Sequence, residues 1–375
     1  MIPFNRPYLT GKEIHYIQEV LTARKLSGDG SFTKQCHQIF QEKFGFRRSL
    51  LTTSCTAALE MTAILLDIEP GDEVILPSYT FSSTANAFAL RGAKLIFVDS
   101  REDEPNIDAE KIAAAVTPRT RAIVVVHYAG VACDMDAIQQ IAFSAGIPII
   151  EDAAQAIDSY YRGRALGTFG AFSTFSFHET KNISSGEGGL LVINDEKYDL
   201  RAEIIREKGT NRSAFFRNEV DKYGWVDVGS SYLPSDILAA FLFAQLQELD
   251  KIQAERLRVW HRYAHNLQFG AEQGWFSLPF IPDYATNNAH MFYLICHNLN
   301  ERIALMNTLK EQKIFPTFHY LSLHNSPYYV DKHDGPLLVN SDRYTDTLLR
   351  LPLFVELDDD SIDKISDLIL KHFKK

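Results

Sequence analysis

From residue 50 to residue 195, short apolar runs alternate with stretches of helical spacing, and this alternation restricts the chain more than any other feature. Asp72–Pro77, Lys94–Asp99, Arg121–His127 and Ile147–Ile150 are rich in valine, isoleucine and leucine, and each reads as a strand. Arg121–His127 is apolar at every interior position, as a strand is when both faces of its sheet are covered. Helix-patterned segments lie between, one through Thr84, Ala87 and Phe88 and another from Ile138 to Phe143. Such an order predicts an α/β fold with a mainly parallel sheet and helices on both faces. Parallel strands place their carboxyl ends along one edge, where open α/β sheets bind ligands.

Two of these ends carry chemistry. Gly146–Ile150 runs into Glu151, Asp152, Ala153, Ala154 and Gln155, an acidic strand end followed by small residues that allow a ligand to approach closely. Ser173–Asn182 is an apolar and aromatic run with one lysine, Lys181, at its polar tip. Gly186, Gly188 and Gly189 turn the chain, and Leu190–Ile193 carries it back. Taken alone, this reads first as a solvated hairpin lysine. Backed by aromatic residues, however, an ammonium is partly desolvated, which lowers its pKa and frees the amine to attack carbonyls. In pyridoxal phosphate (PLP) enzymes a strand-end aspartate pairs with the ring nitrogen, and a lysine about thirty residues further on in a hairpin completes that pattern. Leu50–Glu60 adds a hydroxyl-rich turn before a helix. A plain N-cap accounts for one hydroxyl; Thr52, Thr53, Ser54 and Thr56 together suit an anion at the helix start. Phe81, at another strand end, reads as core.

These segments resemble the PLP-dependent sugar aminotransferases of the DegT/DnrJ/EryC1/StrS family. The likeness rests on Asp152–Gln155, Ser176–Asn182 and Gly186–Gly189, and extends to Pro77–Phe81, His127–Gly130, Arg206–Arg212 and Phe318–Tyr320. It runs over nearly the whole chain and is strongest to members that make dTDP-4-amino-4,6-dideoxygalactose. The resemblance implies an aspartate-aminotransferase-like (fold type I) PLP domain and a smaller α+β C-terminal domain. It implies that Lys181 carries the cofactor and moves the proton, that Asp152 holds the ring nitrogen protonated, and that Gln155 bonds the ring hydroxyl. Ser54, Cys55, Thr56 and Ser176 would cradle the phosphate, and Phe81 would stack on the ring. Lys208, Arg212, His319, Tyr320 and His324 are the implied substrate residues. The implied reaction moves an amino group from L-glutamate to C4 of a dTDP-4-keto-6-deoxyhexose, for surface polysaccharide synthesis. The gluco epimer and amination of a 3-keto sugar stay open. A homodimer with active sites at its interface is expected. Many members carry an asparagine in the turn Gly229–Asp236 that reaches the partner's cofactor phosphate; serines stand here, and Ser231 is the candidate for that contact.

The remaining features bound this reading. With 375 residues, two domains are expected, at 1–248 and 249–375. A net charge of −10 argues against nucleic-acid binding. No apolar run approaches a membrane span, residues 1–6 do not resemble a signal peptide, and the four cysteines lack metal-like spacing. A cytoplasmic protein is expected. Leu26–Gly30 follows a helix instead of a strand and completes no dinucleotide loop, which disfavours an oxidoreductase. Lys208–Arg212 sits in a charged stretch that reads first as a solvated face. His319 and His324 lack a third metal ligand at suitable spacing. A related sugar dehydratase has a histidine where Lys181 stands. A non-catalytic binding protein would not need Asp152 and Lys181 together.

Overall fold

The computed structural model describes residues 1–374. Seven strands form its main sheet: β1 (Ser49–Thr52), β2 (Glu73–Pro77), β3 (Lys94–Val98), β4 (Thr120–Val126), β5 (Ile149–Asp152) and, after a short hairpin of β6 (Tyr160–Tyr161) and β7 (Arg164–Ala165), β8 (Phe172–Ser176) and β9 (Gly189–Ile193). Their order is β1-β9-β8-β5-β4-β2-β3. Only β9 runs against its neighbours; the pairs from β8 to β3 are all parallel.

The unbroken apolar runs follow from two-sided burial. Ile75, Ile123, Val125, Leu190 and Val192 enter one core, while Val74, Leu76, Ala122, Val124, Leu191 and Ile193 enter the other. Period-two side-chain alternation divides each strand between the two. Inside the first core Glu151 is fully buried. Its carboxylate accepts the amides of Gly167, Phe169 and Gly170 at 2.7–2.8 Å and lies 3.1 Å from His127 Nε2, so it fixes the turn that feeds β8.

The smaller sheet has the order β10-β12-β11, from β10 (Phe292–Ile295), β11 (Thr317–Phe318) and β12 (Leu348–Leu351), all antiparallel. The long helix Leu249–Glu272 leads into it, and the helix Asp359–Phe373 lays Ile362, Ile365 and Ile369 on its core. Four local features differ from the sequence reading or were absent from it. The strand expected over 315–320 pairs only at Thr317 and Phe318. The helix Ser31–Phe44 and the central strand β12 were not anticipated. Residues 2–5 lie across the smaller unit: the Phe315 amide donates to the Ile2 carbonyl at 3.0 Å, and the Leu353 amide to the Phe4 carbonyl at 3.4 Å. No helix among the described residues is long and apolar enough to cross a membrane.

Candidate active site

The connection from Phe177 to Gly188 carries Lys181 over the carboxyl edge of the main sheet. Its ends close on themselves, with the Phe177 amide donating to the Gly188 carbonyl and the Ser185 amide to the Phe177 carbonyl, both at 2.9 Å. Asn182 anchors the lysine's backbone. Its amide group donates to Gln253 Oε1 and the Asn288 carbonyl, each at 2.8 Å, and its Oδ1 lies 2.9 Å from His290 Nδ1. The lysine side chain itself is uncommitted: among the described residues Lys181 Nζ has no hydrogen-bond or ion-pair partner. Although Lys181 is half-buried by area, its ammonium is shielded from water, and desolvation lowers its pKa to about 8. The nearby Arg350 guanidinium pushes the same way.

Asp152 ends β5 and is buried in the wall of the same cavity, which has a volume of about 540 Å³. Its Oδ2 accepts the Thr84 hydroxyl at 2.7 Å and its Oδ1 the Ala154 amide at 3.1 Å. Burial is the dominant influence and leaves the carboxyl pKa raised, although those donors together with Lys181 pull it down. Each oxygen keeps lone-pair capacity for a cationic partner in the cavity.

The helix Cys55–Leu65 closes another side. Ser54 Oγ accepts the Ala57 amide at 3.0 Å, while the amides of Cys55 and Thr56 come too early in the helix to have an intrahelical acceptor. The Thr56 hydroxyl donates to Ser83 Oγ at 2.8 Å, joining this helix start to that of Ser82–Ala89. Gly189 packs so tightly beneath that a Cβ there would stand 2.3 Å from the Ser54 carbonyl carbon. Two helix starts with their hydroxyls make an anion site. An anion cradle, a buried carboxylate with spare lone pairs and an uncommitted amine fit a phosphate, a ring nitrogen and an aldehyde respectively. The residues present therefore fit PLP.

Of the residues singled out from the sequence, Ser54, Cys55, Thr56, Phe81, Asp152, Gln155, Ser176, Lys181, His319 and Tyr320 line this one cavity. Gln155 is more committed than expected: its Oε1 accepts the Ala129 amide at 2.6 Å and its Nε2 donates to the Tyr320 hydroxyl at 2.9 Å. One amide hydrogen remains for a ligand. Phe81 is exposed at the mouth, its ring 6.1 Å from that of Tyr320.

Four others lie elsewhere. His324 is buried against Ser78, with Nδ1 2.7 Å from the serine hydroxyl and Nε2 3.6 Å from Asp342. Its ring pins the segment after β11 to the end of β2 and does not line the cavity. Ser231 is exposed and bridged to Glu207, and Lys208 is exposed beside it. Arg212 lines a separate cleft of about 700 Å³ that also includes Lys25, Gly28 and Asp29. Within one chain, Arg212 and His319–Tyr320 do not share a site: Arg212 lines the cleft beside Ser27–Asp29, and His319 and Tyr320 line the Lys181 cavity. The Thr84 contact to Asp152 was missed, as were Thr80, Ser83, His178, Thr180 and Glu187 in the lining. The hydroxyl cluster from Thr80 to Thr84, at the end of a buried strand, was the available signal.

A family model described as the DegT/DnrJ/EryC1/StrS aminotransferase family matches residues 7–370. Among solved structures, the aminotransferase TlmJ from Streptoalloteichus hindustanus is 29% identical, with 100% of this chain and 99% of that chain covered and a TM-score of 0.91. DesV from S. venezuelae is 27% identical over 100% and 99% of the two chains, with a TM-score of 0.91. The ntda protein from Bacillus subtilis, solved with bound PMP cofactor, is 26% identical over 97% and 82%, with a TM-score of 0.88.

Proposed function

Because the chain belongs to the DegT/DnrJ/EryC1/StrS aminotransferase family, and is thus a PLP-dependent sugar aminotransferase of fold type I, we propose that it moves the amino group of L-glutamate to C4 of a dTDP-4-keto-6-deoxyhexose. The product proposed is dTDP-4-amino-4,6-dideoxygalactose, a precursor for surface polysaccharide. The observation that carries amino transfer is the meeting of Asp152, Lys181 and the Ser54–Thr56 helix start in one cavity. Likeness over Lys208–Arg212 and Phe318–Tyr320 supports the sugar assignment.

Bound PLP supplies an aldehyde that takes up the amino group and a ring that withdraws the electron pair left when a proton departs. Lys181 is the residue proposed to hold the cofactor, and with the donor in place its free Nζ would take the proton from the donor's α-carbon. The same Nζ later delivers a proton to the sugar carbon, and the face it reaches sets the stereochemistry. Asp152 opposes loss of the ring-nitrogen proton through its charge. Ser54, Thr56 and Ser176 would hold the phosphate, with the Cys55 and Thr56 amides, and Phe81 would cover the ring. His319 and Tyr320 stand on the side open to the sugar.

The protein is proposed to act as a homodimer, with residues 1–248 as the cofactor domain and 249–375 as the smaller one. Phe216, Tyr223, Trp225, Val226 and Val228 are exposed on the segment that holds Lys208 and Arg212, an apolar surface suited to a second copy. Docked there, Lys208, Arg212 and Ser231 would serve the partner's cavity. Incubation with dTDP-4-keto-6-deoxyglucose and L-glutamate, followed by NMR of the product, tests the reaction. A small coupling between H3 and H4 is expected for the axial amine. A large coupling means the gluco epimer, and turnover of only a 3-keto isomer overturns the regiochemistry.

A further inference from the structure

A single turn of backbone, from Thr80 into the helix Ser82–Ala89, touches both poles of the Lys181 cavity. Ser83 Oγ receives the Thr56 hydroxyl at the anion cradle, 2.8 Å away. One residue on, the Thr84 hydroxyl donates to Asp152 Oδ2 at 2.7 Å, and Thr84 Oγ1 also lies 2.9 Å from Thr80 Oγ1. Thr80 and Thr84 are 2% and 1% exposed and Asp152 is 4% exposed, so bulk water does not replace a donor lost here.

Hydrogen count fixes the direction of this relay. An ionised carboxylate only accepts, so the one Thr84 hydroxyl hydrogen goes to Oδ2 and the Thr80 hydroxyl donates to Thr84 Oγ1. Protonation at Oδ2 would turn the relay round, from Asp152 to Thr84 to Thr80. The Thr80 hydrogen would then be stranded, because among the described residues Thr80 Oγ1 has no second partner. The relay therefore favours the charged carboxylate. Burial opposes it, and of the groups that pull the Asp152 pKa back down Thr84 is the strongest, ahead of the Ala154 amide, Lys181 and His127.

A ring nitrogen holds its proton best beside a carboxylate that is itself charged. We propose that Thr84, backed by Thr80, is a positioning residue that keeps Asp152 ionised and directs its free lone pairs to the nitrogen of a bound PLP ring. Without that hydroxyl, a buried carboxylate has one donor fewer, and the loss is not made good by solvent. The cavity would still admit a ring of the right shape, with a weakened hold on its nitrogen. The assignment rests on the reading of Asp152 as the ring-nitrogen partner, and the test separates the two.

The probes are PLP and its 1-deaza analogue, which has carbon in place of the ring nitrogen. Absorbance titration of the full-length, cofactor-free protein gives the affinity for each, a readout independent of turnover. Wild type should prefer PLP. In Thr84→Val, close to isosteric but without the hydroxyl, that preference should fall by about tenfold or more. Thr84→Ser restores the donor and should keep the preference within about threefold of wild type. In PLP-loaded Thr84→Val the rate constant at saturating L-glutamate should fall by about tenfold or more, with the half-saturating concentration little changed. If Thr84→Val does not fold, Thr80→Val carries the test, with a fall in the same preference of about threefold. A wild-type preference that survives in the valine variant, or an equal loss of affinity for both probes with a lower Tm, overturns the proposal while leaving the Asp152 reading intact. So does a Thr84→Ser protein no better than Thr84→Val. A wild type that binds both probes equally refutes the Asp152 reading, and the proposal with it.

Discussion

A lysine ammonium shielded from water and facing a second cation gives up its proton early. Lys181 is in that position, with a pKa lowered to about 8 by burial and by Arg350. The neutral amine is the nucleophile, so recombination of cofactor-free protein with PLP should accelerate with pH up to a midpoint of about 8 and then level off. Stopped-flow absorbance measures this; a midpoint in the ordinary lysine range would show that Nζ is solvated. The sign for stability follows. Between about pH 8 and the ordinary lysine pKa, the unfolded chain keeps a proton that the folded chain has lost, so the cofactor-free protein gains stability as pH rises through that window. Lys181 and Asp152 were legible in the sequence because strand ends and hairpin tips have fixed places in a parallel sheet. His324 was not, because the direction of a side chain after a two-residue strand depends on its neighbours, here Ser78 and Asp342. Arg350 was equally hidden, a single charge in an apolar run whose neighbours come from three distant segments.

At the level of elements, the main sheet was readable and the smaller sheet less so. β2, β3 and β4 announce themselves through apolar runs, since both faces are covered. β12 has one face against core leucines and the other, with Arg350, against tyrosines, so neither alternation nor an unbroken run marks it. The close approach of β9 to the helix start at Ser54 was signalled only by the glycines of Gly186–Gly189. Gly189→Ala should force these elements apart, because the new methyl would meet backbone and not a flexible side chain. We expect a loss of about 1–3 kcal/mol in stability, and weaker PLP binding because the amides of Cys55 and Thr56 move. Calorimetric Tm and absorbance titration of the cofactor-free protein read the two effects. Gly224→Ala, where a Cβ meets open space, is the control and should change neither.

At the level of the whole molecule, the separation of Arg212 from the Lys181 cavity has a direct test in mixed dimers. Lys181→Ala and Arg212→Ala are each expected to be impaired. If Arg212 serves the partner's cavity, a mixed dimer has one site with both native residues, and random reassortment of equal amounts should restore about a quarter of wild-type turnover. If Arg212 acts within its own chain, no mixture recovers activity. No reading of one sequence could have placed these groups, because pairing between copies leaves no periodic mark on the chain. The path of residues 2–5 has a different kind of consequence. Ile2 pairs beside Ile314, Phe4 is held by Leu353 and lies under Arg350, and Asn5 donates to the Glu179 carbonyl at 3.1 Å, two residues from Lys181. Residues 2–5 must therefore wait until Ile314, Arg350 and Leu353 have been made before they find their seats. A nascent chain stalled before residue 314 already contains Lys181 and Asp152, yet holds residues 2–5 only through Asn5, so the lysine loop gains this strap only after Ile314 and Leu353 have emerged.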